Sequence, residues 1–137
     1  MVAARNVASI ATTLALALAA AQAGAAEPNL DRYYSKTYTA CMDQASGSTG
    51  PMRDCISGEY DQWDKSLNTA YQALMASRAP AAKIELRDDE RAWLKRTDHK
   101  CDHAGDDEDG GTLQQVEIDQ CNLEERVKRT LYLRGLH

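Results

Sequence analysis

Two histidines, two cysteines and four consecutive acids fall in the stretch from His99 to Cys121. In "HKCDH", His99 and His103 stand four apart around Cys101. On a helix that spacing sets both imidazoles on one face, as in some zinc sites. No second histidine-rich patch completes a ligand set, so both read as solvent-facing residues at a helix end, where positive charge is favoured. Asp106, Asp107, Glu108 and Asp109 are consecutive. Calcium loops instead take ligands at alternate positions and close the shell with a distant acid. The run therefore reads as a solvated loop, as an anionic contact surface for a cationic protein, or as a weak cation binder. A second acidic group, Glu59, Asp61 and Asp64, lies in "EYDQWDKSLNTAY". Paired carboxylates hydrolyse glycosides when they face each other across a cleft. These share one expected helix and do not flank a substrate. Glu59 and Asp64 are expected to bond to polar groups on other helices, such as Arg91 or Arg129. No positioned serine nucleophile and no glycine-rich phosphate loop is present in the sequence. No catalytic residue, metal or cofactor is expected.

The compartment decides how the cysteines are read. The chain opens "MVAARNVASIATTLALALAAAQAGAAEPN". One positive charge, Arg5, precedes an apolar run from Val7 to about Ala21, and small residues lead to the polar Glu27-Pro28-Asn29. This is the pattern of a secretory signal peptide, with cleavage expected after Ala26. The run is shorter and more alanine-rich than the roughly 20 strongly apolar residues of a spanning helix. The expected division is a signal peptide at 1–26 and one helical domain at 27–137, with no membrane span in the mature chain. Loss of Arg5 moves the formal charge from −5 to −6. An acidic exported domain is a poor match for nucleic acid and a plausible one for a basic macromolecule. The cysteines, Cys41, Cys55, Cys101 and Cys121, form an even set, which in a small exported domain reads as two disulfides. Three pairings are possible. The chain layout favours Cys41 with Cys55 and Cys101 with Cys121, because each pair flanks one turn-rich break.

The elements that hold these residues are expected to be helical throughout, since no alternating apolar stretch is long enough for a strand. Breaks fall at "ASGSTGP" (Ala45 to Pro51), "RAP" (Arg78 to Pro80) and "HAGDDEDGG" (His103 to Gly111). They leave helices from about Asp31 to Gln44, Met52 to Ser77, Ala81 to Lys100, and from Thr112 onward. Cys55, Glu59, Trp63, Leu67, Tyr71 and Leu74 recur at spacings of three and four, along one face of the second. Leu86, Glu90, Trp93, Thr97 and Cys101 form the stripe of the third. On the fourth, Thr112 and Gln115 form a capping-box pattern, and Leu113, Val116, Val127 and Leu131 mark the apolar face, with Cys121 close to it. Cys121 lies roughly 13 Å along this helix at about 1.5 Å per residue. A Cys101–Cys121 bond therefore requires the acidic loop to run back beside it, with Gly110 and Gly111 allowing the reversal. The expected fold is a small all-α four-helix bundle of helical hairpins clipped by two disulfides.

Four ordered pieces of this sequence resemble the LprI-like lysozyme-inhibitor domain, from about Cys41 to Leu133. Cys55 and Glu59 lead into "DKSLNTAY", with Asp64, Leu67, Asn68 and Tyr71 at signature spacing. "LRDDERAWLKRTDHKC" supplies Leu86, Arg91, Trp93, Asp98 and Cys101. Gly110-Gly111-Thr112 follows, and "CNLEERVKRTLYL" supplies Cys121, Arg129 and Leu133. The chain departs from the pattern at Thr97, where arginine is expected and a buried ion pair with Asp98 is affected. It departs also at Glu90, in place of glutamine, and at Arg126, in place of threonine. The resemblance implies a non-catalytic periplasmic or secreted inhibitor of lysozyme-type muramidases. The motif residues, including Glu59, Asp64, Arg91, Asp98 and Arg129, are expected to set packing. Asp106, Asp107, Glu108 and Asp109 are the expected contact for a basic partner such as a lysozyme. The alternatives are an envelope adaptor or antitoxin-like binder of another exported protein, and a hydrolase built on Glu59 or Asp64.

Overall fold

A computed structural model describes residues 29–106 and 110–136. The signal-peptide expectation lies outside these residues. A 3₁₀ turn (Asp31–Tyr33) precedes α1 (Lys36–Ala45), α2 (Thr49–Ser77), α3 (Pro80–Asp102) and α4 (Thr112–Arg134). The described residues contain no strand. No helix among them is long and apolar enough to cross a membrane.

The helix ends follow local chemistry, with three corrections to the expected boundaries. A continuous first helix from Asp31 does not form. Ser35 adopts an extended conformation and its Oγ accepts from the Tyr38 amide, so α1 begins there as serine caps begin helices. The break before α2 is shorter than "ASGSTGP". Ser46 and Gly47 take left-handed conformations (φ 46° and 78°), and the helix resumes at Thr49. Pro51 then sits in the first turn, where its missing N–H costs no helical bond. Thr112 does not cap α4. The extended Gly111 holds that position and no side chain caps the end.

α2 and α4 form the spine and run parallel. Arg53 pairs with Asp119 and Tyr60 with Arg126, each pair separated by 66 positions. α1 folds back on one end of α2, and α3 runs antiparallel to α4, where Glu90 meets Arg129 and Lys100 meets Glu125. Two apolar clusters line the spine. Leu30, Ile56, Val116, Leu123 and Val127 form one. Leu67, Ala70, Leu74, Leu86, Trp93 and Leu133 form the other, around α3. The α2 face appears as its spacing predicts, with Ile56 and Ala70 added. Leu113, expected in the core, is 40% exposed. At the 66-residue offset it stands level with Gly47, before α2 begins.

Both disulfides pair as the layout favours: Cys41 with Cys55 (Cα–Cα 5.7 Å) and Cys101 with Cys121 (5.5 Å). The second requires the connection after α3 to lie against α4, and Gly105 makes this possible. Its φ is +73°, and a Cβ there would stand 3.0 Å from Glu117 Cβ and 3.1 Å from Gln114 Cα. We therefore expect Gly105→Ala to cost about 2 kcal/mol, from left-handed strain and backbone crowding. Denaturant titration checks this, with Gly50→Ala as the control in open space.

Candidate functional site

The signature residues divide into a buried set and a surface set. Glu59 is 3% exposed on α2. Its carboxylate accepts from the Ser35 amide (2.9 Å), Ser35 Oγ (2.6 Å) and Trp63 Nε1 (3.1 Å). The expected partners, Arg91 and Arg129, are replaced by a serine 24 positions away and a tryptophan one turn on. With these donors occupying it, Glu59 anchors the chain before α1 to the spine. Leu67 and Trp93 are buried in the α3-side cluster, and Tyr71 packs against it.

Arg129 is buried on α4 and meets Asp89 (2.6 Å) and Glu90 (2.8 Å) on α3. Burial works against its charge, but the bonds to the two carboxylates outweigh this and raise its pKa. Glu90, one of the departures from the family pattern, thus supplies half of a buried ionic clamp. Arg126, another departure, also acts as a cross-helix tie. Its Nε stands 3.1 Å from Asp64 and donates to the Tyr60 hydroxyl (3.0 Å). Its guanidinium lies over the Trp93 ring at 4.9 Å from the centroid, a cation–π arrangement. One of its buried nitrogens, Nη1, has no acceptor among the described residues.

Asp98 is exposed and has no ion pair among the described residues, while Thr97 is buried with its hydroxyl unpartnered among them. Adjacent helical positions point about 100° apart, so position 97 faces α4 and position 98 faces solvent. His99 and His103 are exposed, with ring centroids 5.1 Å apart. His103 contacts Asp106 at 3.1 Å, and Gln114 also reaches Asp106. Asp107, Glu108 and Asp109 lie outside the described residues.

Between α2 and α3, above the buried cluster, a groove of about 240 Å³ opens to solvent. Asp64, Asn68 and Tyr71 line one wall, Arg91 and Leu94 the other, and Arg126 contributes from α4. The sequence separates these positions by up to 62 residues and gives no local sign that they converge.

At the other end, Gln120 bridges two tyrosines. It accepts from the Tyr38 hydroxyl (2.9 Å) and donates to that of Tyr34 (3.1 Å). Burial raises both tyrosine pKa values above the ordinary 10.0, and the charge of Glu124 adds to this at each ring. The unfolded chain therefore ionises first as pH climbs past 10. Their contribution to stability is full below that pH and falls above it, towards the folded-state values. Chemical denaturation between pH 8 and 11.5 should show this decline, and the Tyr34→Phe, Tyr38→Phe double variant should flatten it.

No curated protein and no solved structure matches the chain. Residues 41–133 match the model of the family described as "Lysozyme inhibitor LprI". The match spans both disulfides, Glu59, the Arg129 clamp and the whole groove, and on it the chain belongs to the lysozyme inhibitor LprI family.

Proposed function

We propose that this protein is an exported, non-catalytic inhibitor of lysozyme-type muramidases, delivered to the periplasm or the medium by cleavage of residues 1–26. The family match over residues 41–133 carries the reading. Two disulfides support an extracytoplasmic site of action. The employment of Glu59 as an acceptor for three donors, and of Asp64 in an ion pair, supports a scaffold over a hydrolase. The acidic balance suits a basic enzyme as partner, since opposite net charge speeds encounter and is screened by salt. In this reading Asp106, Asp107, Glu108 and Asp109 attract the partner from a distance.

Cell-wall lysis by muramidases of several classes, with and without the mature protein, tests the proposal. At least one class should be inhibited. Association should slow about tenfold between 20 and 200 mM salt, a steering effect of the expected order. Absence of inhibition and of binding across all classes at low salt would remove it.

A further inference from the structure

The buried signature residues have evident work in the fold: Glu59 anchors, Leu67 and Trp93 pack, and Arg129 clamps. Asn68 and Arg91 do not. Asn68 is exposed and, among the described residues, bonds to Asp64 on its own helix. The Arg91 side chain is 68% exposed, and its one ionic contact among the described residues is a 3.9 Å approach to Asp88, also on its own helix. Both line the α2–α3 groove. Asp98 is exposed too but lies outside the groove, so the convergence is that of Asn68 and Arg91, two exposed residues without work in the fold, and it points to contact rather than to packing.

The charges around the groove identify what it would accept. Asp64 is matched by Arg126, Glu90 by Arg129, and Arg87 by Asp88. Arg91 is left without a close partner among the described residues, and Arg126 retains an unpartnered nitrogen. The lining holds three arginines, Arg87, Arg91 and Arg126, against two carboxylates, Asp64 and Glu90, so in a protein of net charge −5 the groove carries one excess positive charge. On α3 two aliphatic side chains are exposed on this side: Ile84 (52%), which lies outside the lining about 10 Å before Arg91, and Leu94 (37%), which lines the groove. Their spacing of seven and three residues from Arg91 keeps all three along one side of the helix. Arginine is among the residues enriched at the centres of protein–protein contacts, and neighbouring side chains there serve to exclude water. The complementary feature is a carboxylate set in apolar surroundings. Enzymes that cleave glycosidic bonds by general acid catalysis carry such a group in an open cleft.

We propose that the α2–α3 groove is the face this protein presents to a muramidase, with Arg91 pairing a carboxylate of the enzyme's cleft and Ile84 and Leu94 covering apolar surface beside it. The inference rests on the inhibitor reading and deepens it. α3 ends roughly 16 Å beyond Arg91, at about 1.5 Å per residue, and the acidic run follows that end. Attraction at a distance and contact at close range are thereby assigned to different residues of opposite charge.

The test uses the mature oxidised protein and a muramidase that it inhibits. Arg91→Glu and Leu94→Ser should each weaken inhibition about 30-fold, the effect of removing a contact centre, through faster dissociation. Arg91→Ala should do the same without reversing charge. Thermal midpoints should be unchanged, because these side chains are exposed. Exchanging the muramidase's general-acid carboxylate for its amide should weaken binding of the unsubstituted inhibitor, and should add little to Arg91→Ala, as a direct pair requires. If the unsubstituted protein inhibits and all three variants inhibit equally well, the groove is not the contact, although the inhibitor reading stands. If the unsubstituted protein binds no muramidase, both fall.

Discussion

Replacing Glu59 by alanine is expected to destabilise the protein by about 3 kcal/mol, on the order of 15 °C in thermal midpoint for a domain of this size. The carboxylate is almost fully enclosed and receives three donors from two segments. Its removal leaves the Ser35 amide, the Ser35 hydroxyl and the Trp63 indole N–H without an acceptor. A buried donor without a partner costs about 1–3 kcal/mol. Ser35 and Trp63 are only half-buried, so water recovers part of each loss, which places the sum at the lower end. Glu59→Gln should cost less, about 2 kcal/mol, since its carbonyl still accepts while its amide group opposes another donor. Ser35→Ala removes one hydroxyl and the cap and should cost about 1 kcal/mol. Urea titration of the three variants should give that order. A hydrolase reading predicts instead that Glu59→Gln changes turnover and leaves stability alone.

The second large effect concerns the Cys101–Cys121 bond. Replacing both cysteines by alanine is expected to cost about 3 kcal/mol, from release of a loop of about 20 residues in the unfolded chain. Cys101 is completely buried, so lost packing adds to the entropic effect. Among the described residues near that end of α3, Lys100 also ties to Glu125 across the helices, and its side chain is 54% exposed. Exposed ion pairs contribute little, so the end should also loosen locally. Amide exchange should rise between residues 97 and 106 more than in α2. The equivalent change at Cys41 and Cys55 should loosen α1 less, because Glu59 still holds Ser35 and Gln120 still holds Tyr34 and Tyr38. Equal loosening of both ends would contradict this account of what holds each helix.

The helical class, the disulfide pairing and the inward face of α2 were legible in the sequence because each is a local signal. The run Cys55, Glu59, Trp63, Leu67, Tyr71, Leu74 has helical spacing within one segment, and each cysteine pair brackets one break. The partners of the charged residues were not legible. Glu59 meets Ser35 from 24 positions away, and Asp64 meets Arg126 from 62 away. Only the tertiary arrangement chooses between Arg126 and Arg129 for Asp64. Their three-residue separation puts both on neighbouring parts of α4, but the parallel register with α2 gives Arg126 to Asp64 and leaves Arg129 to α3. The same register exposes Leu113, which local periodicity alone places in the core. At Thr112 a local signal was overridden in the other direction: the extended Gly111 took the cap position despite the capping-box pattern. The groove is the least legible feature, since its walls come from three helices.

A titration of muramidase activity with the unreduced protein tests the central claim most directly. Activity should fall with a break at one inhibitor per enzyme, and prior reduction of both disulfides should abolish the inhibition. Unchanged activity at a large excess of oxidised protein, for every muramidase class, would contradict the claim.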